Sequence, residues 1–235
     1  MRPSINEFDY HRITLLADDT PEGKGLFLGR IIPQDKIKMK QIVKWMQYCI
    51  RWHGAGCEET LSSLSSGRIS KLRVIDTWRL CIVDESSECI YLTLSYVWGS
   101  ATVFKLTSTN LDELATPGAL KKVWRQLPRT IQDSITLTST LHERYLWIDS
   151  LCIIQDSDAD KAHYIPYMDS IYDRAFLTIA AATGDSADAG LPGVRKGSRG
   201  CSQIIEEVLP SVRLSSIRHL RDALDESVYE SRAWT

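Results

Sequence analysis

Asp149 stands in the middle of an otherwise apolar run, Arg144-Tyr-Leu-Trp-Ile-Asp-Ser-Leu-Cys-Ile-Ile-Gln-Asp156. Taking an ion out of water costs on the order of several kcal/mol unless it is paired or hydrogen-bonded. A carboxylate kept among Trp147, Ile148, Leu151, Ile153 and Ile154 therefore marks either a structural network or a functional site. Asp156 opens an acidic turn, Asp156-Ser-Asp-Ala-Asp160, that suits a helix cap. Cys152 shares the apolar run, where burial raises a thiol pKa and argues against a thiolate nucleophile. Cys49, His53 and Cys57 recur on one helical face, but a metal site needs a fourth ligand and usually closer cysteine pairs. No metal is expected. Gly-x-Ser-x-Gly, Gly-x-x-x-x-Gly-Lys and His-Glu-x-x-His are absent, and the 5 histidines share no ligand spacing.

Several elements must position these residues. Ile13–Leu16 and Leu26–Leu28 flank a polar turn and read as a hairpin or an irregular arm. Residues 36–53 read as an amphipathic helix, with Met39, Ile42, Val43, Met46, Cys49, Ile50 and His53 at spacings of three and four and with Lys36, Lys40, Lys44 and Arg51 between them. Residues 71–83 alternate with period two, and residues 89–98 form a second strand across a polar loop, so the two are expected to pair antiparallel. Pro128 suits the first turn of a helix that opens over 127–135, where Thr130 and Asp133 would satisfy free amides and Ile131, Ile135 and Leu141 would face the core. A strand over 145–154, a helix over 165–175 and a buried strand over 176–182 follow. That strand–helix rhythm implies an α/β fold, mainly a parallel sheet with crossover helices, joined by an antiparallel β-hairpin and an N-terminal helical extension. A short strand over 208–214 and a helix over 217–224 complete the reading. Residues 1–70 form the extension and 71–235 the main domain. The ending at Arg232-Ala-Trp-Thr235, with no polar tail, leads us to expect a domain cut short there.

The chain has 235 residues, 43% hydrophobic and 25% charged, with a net charge of −2. These values fit a globular protein and give no global pull toward nucleic acid or an anionic surface. The first residues lack the apolar core of a signal peptide, and no run approaches the ~18 apolar residues of a membrane span. A cytoplasmic location without disulfides is expected.

Taken in order, the motifs resemble the fungal heterokaryon incompatibility (HET) domain. Tyr91-Leu-Thr-Leu-Ser-Tyr-Val-Trp-Gly99 is similar to its Ser-Tyr-x-Trp-Gly signature, and Leu127-Pro-Arg-Thr-Ile-Gln-Asp133 to its Leu-Pro-x-Thr-Ile-x-Asp helix start. Tyr145–Asp156 resembles its most specific motif. Met168-Asp-Ser-Ile-Tyr172 with Ala175, and Arg232-Ala-Trp-Thr235, resemble two further ones. The resemblance spans roughly residues 40–235.

This resemblance implies a role in non-self recognition and programmed cell death when incompatible hyphae fuse. It also implies a core distantly like the Toll/interleukin-1 receptor (TIR) fold, and action through protein partners or self-assembly. Some TIR relatives cleave NAD at its glycosidic bond, so NAD glycohydrolase activity is the alternative, with NAD as substrate and no cofactor. In that reading Asp149 or Asp156 is the catalytic carboxylate, and Ser95, Trp98, Gly99 and Gln155 contact the dinucleotide. In the first reading Trp98 and Trp147 fill the core, and Asp149 bonds Ser95, Arg232 or backbone amides. Asp156 would then cap the next helix and Gln155 would bridge a loop. Many members of that family carry a Trp and then a Glu before Met-x-x-Ile-Tyr. The corresponding places here hold Lys161 and Tyr164, and no Glu occurs between Glu143 and Glu206. A degenerate, inactive remnant is the third reading.

Overall fold

The computed structural model describes residues 11–19, 28–53, 70–99, 103–200, 203–218, 220–225 and 227–230. Strand β1 (His11–Leu15) precedes helix α1 (Met39–His53), and β2 (Lys71–Asp76), β3 (Cys81–Ser86) and β4 (Tyr91–Tyr96) come next. Short helices α2 (Leu111–Leu114) and α3 (Ala119–Lys122) lead into α4 (Arg129–Thr140). Strand β5 (Tyr145–Trp147), helices α5 (Asp149–Cys152), α6 (Asp158–Tyr164) and α7 (Met168–Asp173), and β6 (Leu177–Ala181) follow. Last come β7 (Ile205–Leu209), β8 (Val212–Arg218) and α8 (Leu220–Asp225).

The larger sheet has the order β3-β2-β5-β4-β6. Strand β4 lies parallel to β5 and to β6, whereas β2 lies antiparallel to β3 and to β5. The fold is α/β, but its sheet is mixed rather than mainly parallel. The three parallel strands stand in the spatial order second, first, third along the chain, so their carboxyl ends share one edge. Leu92, Leu94, Leu146, Ile148, Ile131 and Ile135 form its core, all at most 2% exposed. Each such side chain contributes about 1.5–3 kcal/mol by leaving water. Helix α7 is tied to the sheet by Tyr91 Oη donating to Ile171 O (2.8 Å) and Tyr172 Oη donating to Leu94 O (3.2 Å).

The hairpin differs from the expected one. Residues 71–86 fold back at Asp76, pairing β2 with β3 from Lys71↔Ser86 to Asp76↔Cys81. No glycine or proline makes this turn. The Asp76 carboxylate accepts from the amides of Trp78 (3.0 Å) and Arg79 (2.9 Å), and Leu80 takes the positive φ of 50°. Burial opposes ionisation of Asp76 but is outweighed by the Arg144 hydrogen bonds and the two amides, which hold its carboxyl below the usual range.

Strand β5 is also shorter than expected. It ends at Trp147, and Asp149–Cys152 coils into a turn closed by Cys152 N–H on Ile148 O (2.7 Å). Leu151, Cys152 and Ile153 are buried either way, and an apolar run alone does not separate a buried strand from a buried turn. Pro166 sits in a 3-10 turn, Ile165–Tyr167, between α6 and α7.

The smaller sheet is antiparallel, with the order β1-β8-β7. The expected strand over 208–214 is instead a hairpin turning at Ser211 (φ 63°). Strand β1 pairs with β8; Leu26 and Phe27 of the expected N-terminal hairpin lie outside the described residues. Helix α1 forms within the expected span, starting at Met39 rather than residue 36. Met39, Ile42, Val43 and Met46 pack against the core, whereas Cys49, Ile50 and His53 of the expected apolar face are exposed.

Candidate functional site

The candidate residues gather where β4, β5 and β6 end. Trp98 lies just past β4, and its indole N–H donates to Asp149 Oδ2 (2.9 Å). The other carboxylate oxygen accepts from the Ser150 amide (2.7 Å). Lys105 Nζ stands 5.0 Å from the Trp98 ring centroid, within cation–π range. Tyr96 Oη donates to Ser150 Oγ (2.9 Å); burial pushes this phenol well above its usual range, and the Asp149 charge adds to the effect. Ser95, the residue before Tyr96 in β4, accepts from Tyr229 Oη (3.0 Å).

The other flank of β4 is equally occupied. Gly99 has φ +71°, and a Cβ placed on it would lie 2.9 Å from the Asp185 carbonyl oxygen and 2.9 Å from Ser186 Cα. Ala187 N–H donates to Trp98 O (3.2 Å), and Thr130 N–H at the start of α4 donates to Ala187 O (3.0 Å). Thr130 and Asp133 do not cap α4, contrary to the sequence expectation. Thr130 Oγ1 accepts from Gly190 N (3.0 Å), while Asp133 accepts from Leu191 N (2.8 Å) and pairs with Arg195 Nε (2.9 Å). Both fasten the turn that follows β6 onto the helix.

A family model described as heterokaryon incompatibility protein (HET) matches residues 91–235. The chain belongs to this family. Comparisons with curated proteins and with solved structures gave no match. The HET match begins at the first residue of β4 and takes in every residue of the cluster just described.

Within the HET motifs, the remaining candidates divide. Gln155 Nε2 donates to the carbonyls of Asp149 and Ile153 (3.0 Å each), bracing α5 from behind. Asp156 is not brought to Asp149 by any direct bond among the described contacts. It accepts from the amide and hydroxyl of Ser108 (2.8 and 2.7 Å), and these bonds hold its carboxyl below the usual range. The cap of α6 is Ser157, whose hydroxyl accepts from Asp160 N (3.2 Å), so Asp156 does not play that part. Cys152 is buried, and burial pushes its thiol up to about 12, leaving it protonated at neutral pH. Trp147 fills the core edge-on to Tyr172, at 5.5 Å between ring centroids. Arg232, the other partner considered for Asp149, lies outside the described residues.

Three charged pairs went unread in the sequence. They are Asp76 with Arg144 (2.7 Å), Arg73 with Asp160 (2.8 Å) and Asp133 with Arg195. The available signal was Arg73 and Asp76 set among apolar strand residues. Cys49 Sγ lies 3.3 Å from His53 Nδ1, and Cys57 is outside the described residues. Among the described residues no three His, Cys, Asp or Glu side chains gather as a metal site, and no helix is long and apolar enough to cross a membrane.

Proposed function

We propose that this chain is an effector of fungal non-self recognition, driving cell death between incompatible hyphae through self-assembly and protein contacts. The observation supporting this reading is that the polar motif side chains are bonded within the protein. Asp149 holds Trp98, Gln155 holds the Asp149 backbone, Asp156 holds Ser108 and Asp133 holds the turn at Leu191. Motifs engaged in this way build a fixed framework of loops. The backbone at Gly99, which a dinucleotide would need to approach closely, is itself packed by Asp185 and Ser186. Inducible expression of the full chain in a fungal host, with viability, NAD content and sedimentation followed together, tests this function. Growth arrest with unchanged NAD and a large assembly is the expected result; NAD loss preceding arrest overturns it.

One observation favours NAD cleavage as a second reading. Asp149 is only partly buried and lies beyond the carboxyl end of a parallel strand, the edge where α/β sheets take ligands. Loss of nicotinamide leaves oxocarbenium character on the ribose, which a fixed carboxylate stabilises. Against it, Tyr164 is a buried residue whose hydroxyl accepts from the Arg73 amide (3.3 Å), and no carboxylate replaces it at that position. Nicotinamide release by the purified chain, free and forced into oligomers, decides the matter. Release that ceases in folded Asp149→Asn establishes the enzyme, and no release in either state removes it.

A further inference from the structure

We propose that α1 is a docking surface for an anionic lipid bilayer, lying flat in the headgroup region. This inference is independent of the function proposed above. One face of α1 is already used: Met39, Ile42, Val43 and Met46 pack on the core, and Ile37 N–H donates to Gly193 O (2.9 Å) just before the helix. A second stripe carries Trp45 and Trp52, 56% and 71% exposed, with Tyr48 between them at helical spacing. Two large exposed indoles separated by two turns are unusual on a solvated helix, because each leaves a broad apolar ring in water.

The charge around that stripe has one sign. Residues 36–53 contain Lys36, Lys38, Lys40, Lys44 and Arg51, all exposed, and no Asp or Glu. Removing these 5 from the 28 basic residues leaves 23 against 30 acidic ones, so the rest of the chain carries −7 while this segment carries +5. Lys44 Nζ lies 5.5 Å from the Tyr48 ring centroid, which places cation and aromatic side by side. Amphipathic Trp rings flanked by Lys and Arg match the headgroup layer of an anionic leaflet, apolar below and negative above. The acidic remainder of the protein would face away from that leaflet, so the charge segregation also sets the orientation.

Flotation of the full chain with vesicles of phosphatidylcholine alone, or with 30 mol% phosphatidylserine (roughly the anionic content that gives such surfaces their potential), tests the inference. Binding is expected only to the anionic vesicles, weakening as salt is raised. The triple reversal Lys40→Glu, Lys44→Glu, Arg51→Glu should weaken it about 100-fold or more, since each lost cation is worth roughly fivefold. Trp45→Ser with Trp52→Ser should weaken it about 10-fold or more with the cations intact. These positions are exposed, and far-UV circular dichroism confirms folding; if the Trp variant does not fold, the reversal alone carries the test. Equal binding to both vesicles, no binding to either, or binding unchanged in the variants overturns the proposal. Single-stranded oligonucleotide that competes the chain off the vesicles at equal charge would also overturn it, assigning the surface to nucleic acid.

Discussion

Gly99→Ala measures how closely the loop after β6 packs the end of β4. A Cβ at Gly99 would meet Ser186 Cβ at 2.8 Å, the Asp185 carbonyl oxygen at 2.9 Å and Ser186 Cα at 2.9 Å. Two of these are backbone atoms, which no rotamer change removes. The left-handed φ of +71° costs an L-residue about 1–2 kcal/mol, and forcing an extra methyl into packed surroundings adds about 1–3 kcal/mol. The variant should therefore lose about 2–5 kcal/mol, a large part of the roughly 5–15 kcal/mol that holds a domain folded. Gly118→Ala is the control, because Gly118 has φ +83° and no neighbouring atom within 4 Å of a built Cβ. It should lose only the backbone strain of about 1–2 kcal/mol. Urea unfolding followed by circular dichroism separates the two. With a slope of about 2 kcal/mol per molar, Gly99→Ala should unfold about 0.5–1.5 M earlier than Gly118→Ala. Coincident midpoints would refute the crowding argument and show that the Asp185–Ser186 backbone yields freely.

Trp98→Phe keeps an aromatic ring, though a smaller one, and removes the indole donor to Asp149, so it should cost about 1.5–3 kcal/mol; a thermal melt indistinguishable from wild type would mean that this bond does not hold the strand ends. Asp133→Ala leaves the buried Leu191 amide without its acceptor and should cost about 3 kcal/mol. Trypsin should then cut sooner at Arg195 and Lys196, and an unchanged cleavage rate would contradict that role. The depressed Asp76 carboxyl contributes stability that is present above the unfolded value of about 3.9 and lost as pH falls through the folded one. Urea midpoints between pH 6 and pH 3 should show this acid loss in the wild type and a smaller loss in Asp76→Asn. A thiol reagent at pH 8 should label exposed Cys49 and leave Cys152 unlabelled until denaturant is added, since burial holds that thiol at about 12; early labelling of Cys152 would show local opening of α5.

Much of the site was legible because its chemistry is unusual for its surroundings. A carboxylate inside an apolar run marked Asp149, and a tryptophan followed by glycine at the end of a strand marked Trp98 and Gly99. The amphipathic period of α1 was equally plain. Strand β6 forms where a strand was expected, although as an edge strand with Thr178 and Ala180 exposed rather than buried on both faces. The hairpin was not plain, because Trp78, Leu80 and Ile82 continue the alternation of β2 straight through the turn. A side chain, Asp76, makes that turn, and its ion-pair partner Arg144 lies 68 residues away. The strand–helix rhythm pointed to the parallel strands β4, β5 and β6, but nothing local showed that β2 joins them antiparallel, with Ile75 opposite Leu146. Asp133 read as a local cap because Thr130 sits three residues before it, whereas its acceptor role serves Leu191, 58 residues on.

The pairing of β1 with β8 has a consequence for synthesis. His11 meets Arg218, 207 positions later, so nothing the ribosome has made earlier can complete the smaller sheet. At about 5–20 residues per second, β1 waits roughly 10–40 s with the backbone donors and acceptors that face β8 unmatched. The larger sheet draws on residues 71–181 alone and can close during that interval. The nascent chain would thus pass through a half-built stage with one open strand, the stage at which a chaperone or a second chain could pair with it. Chains stalled before and after residue 218 should show the change, with β1 protease-sensitive in the first and protected in the second.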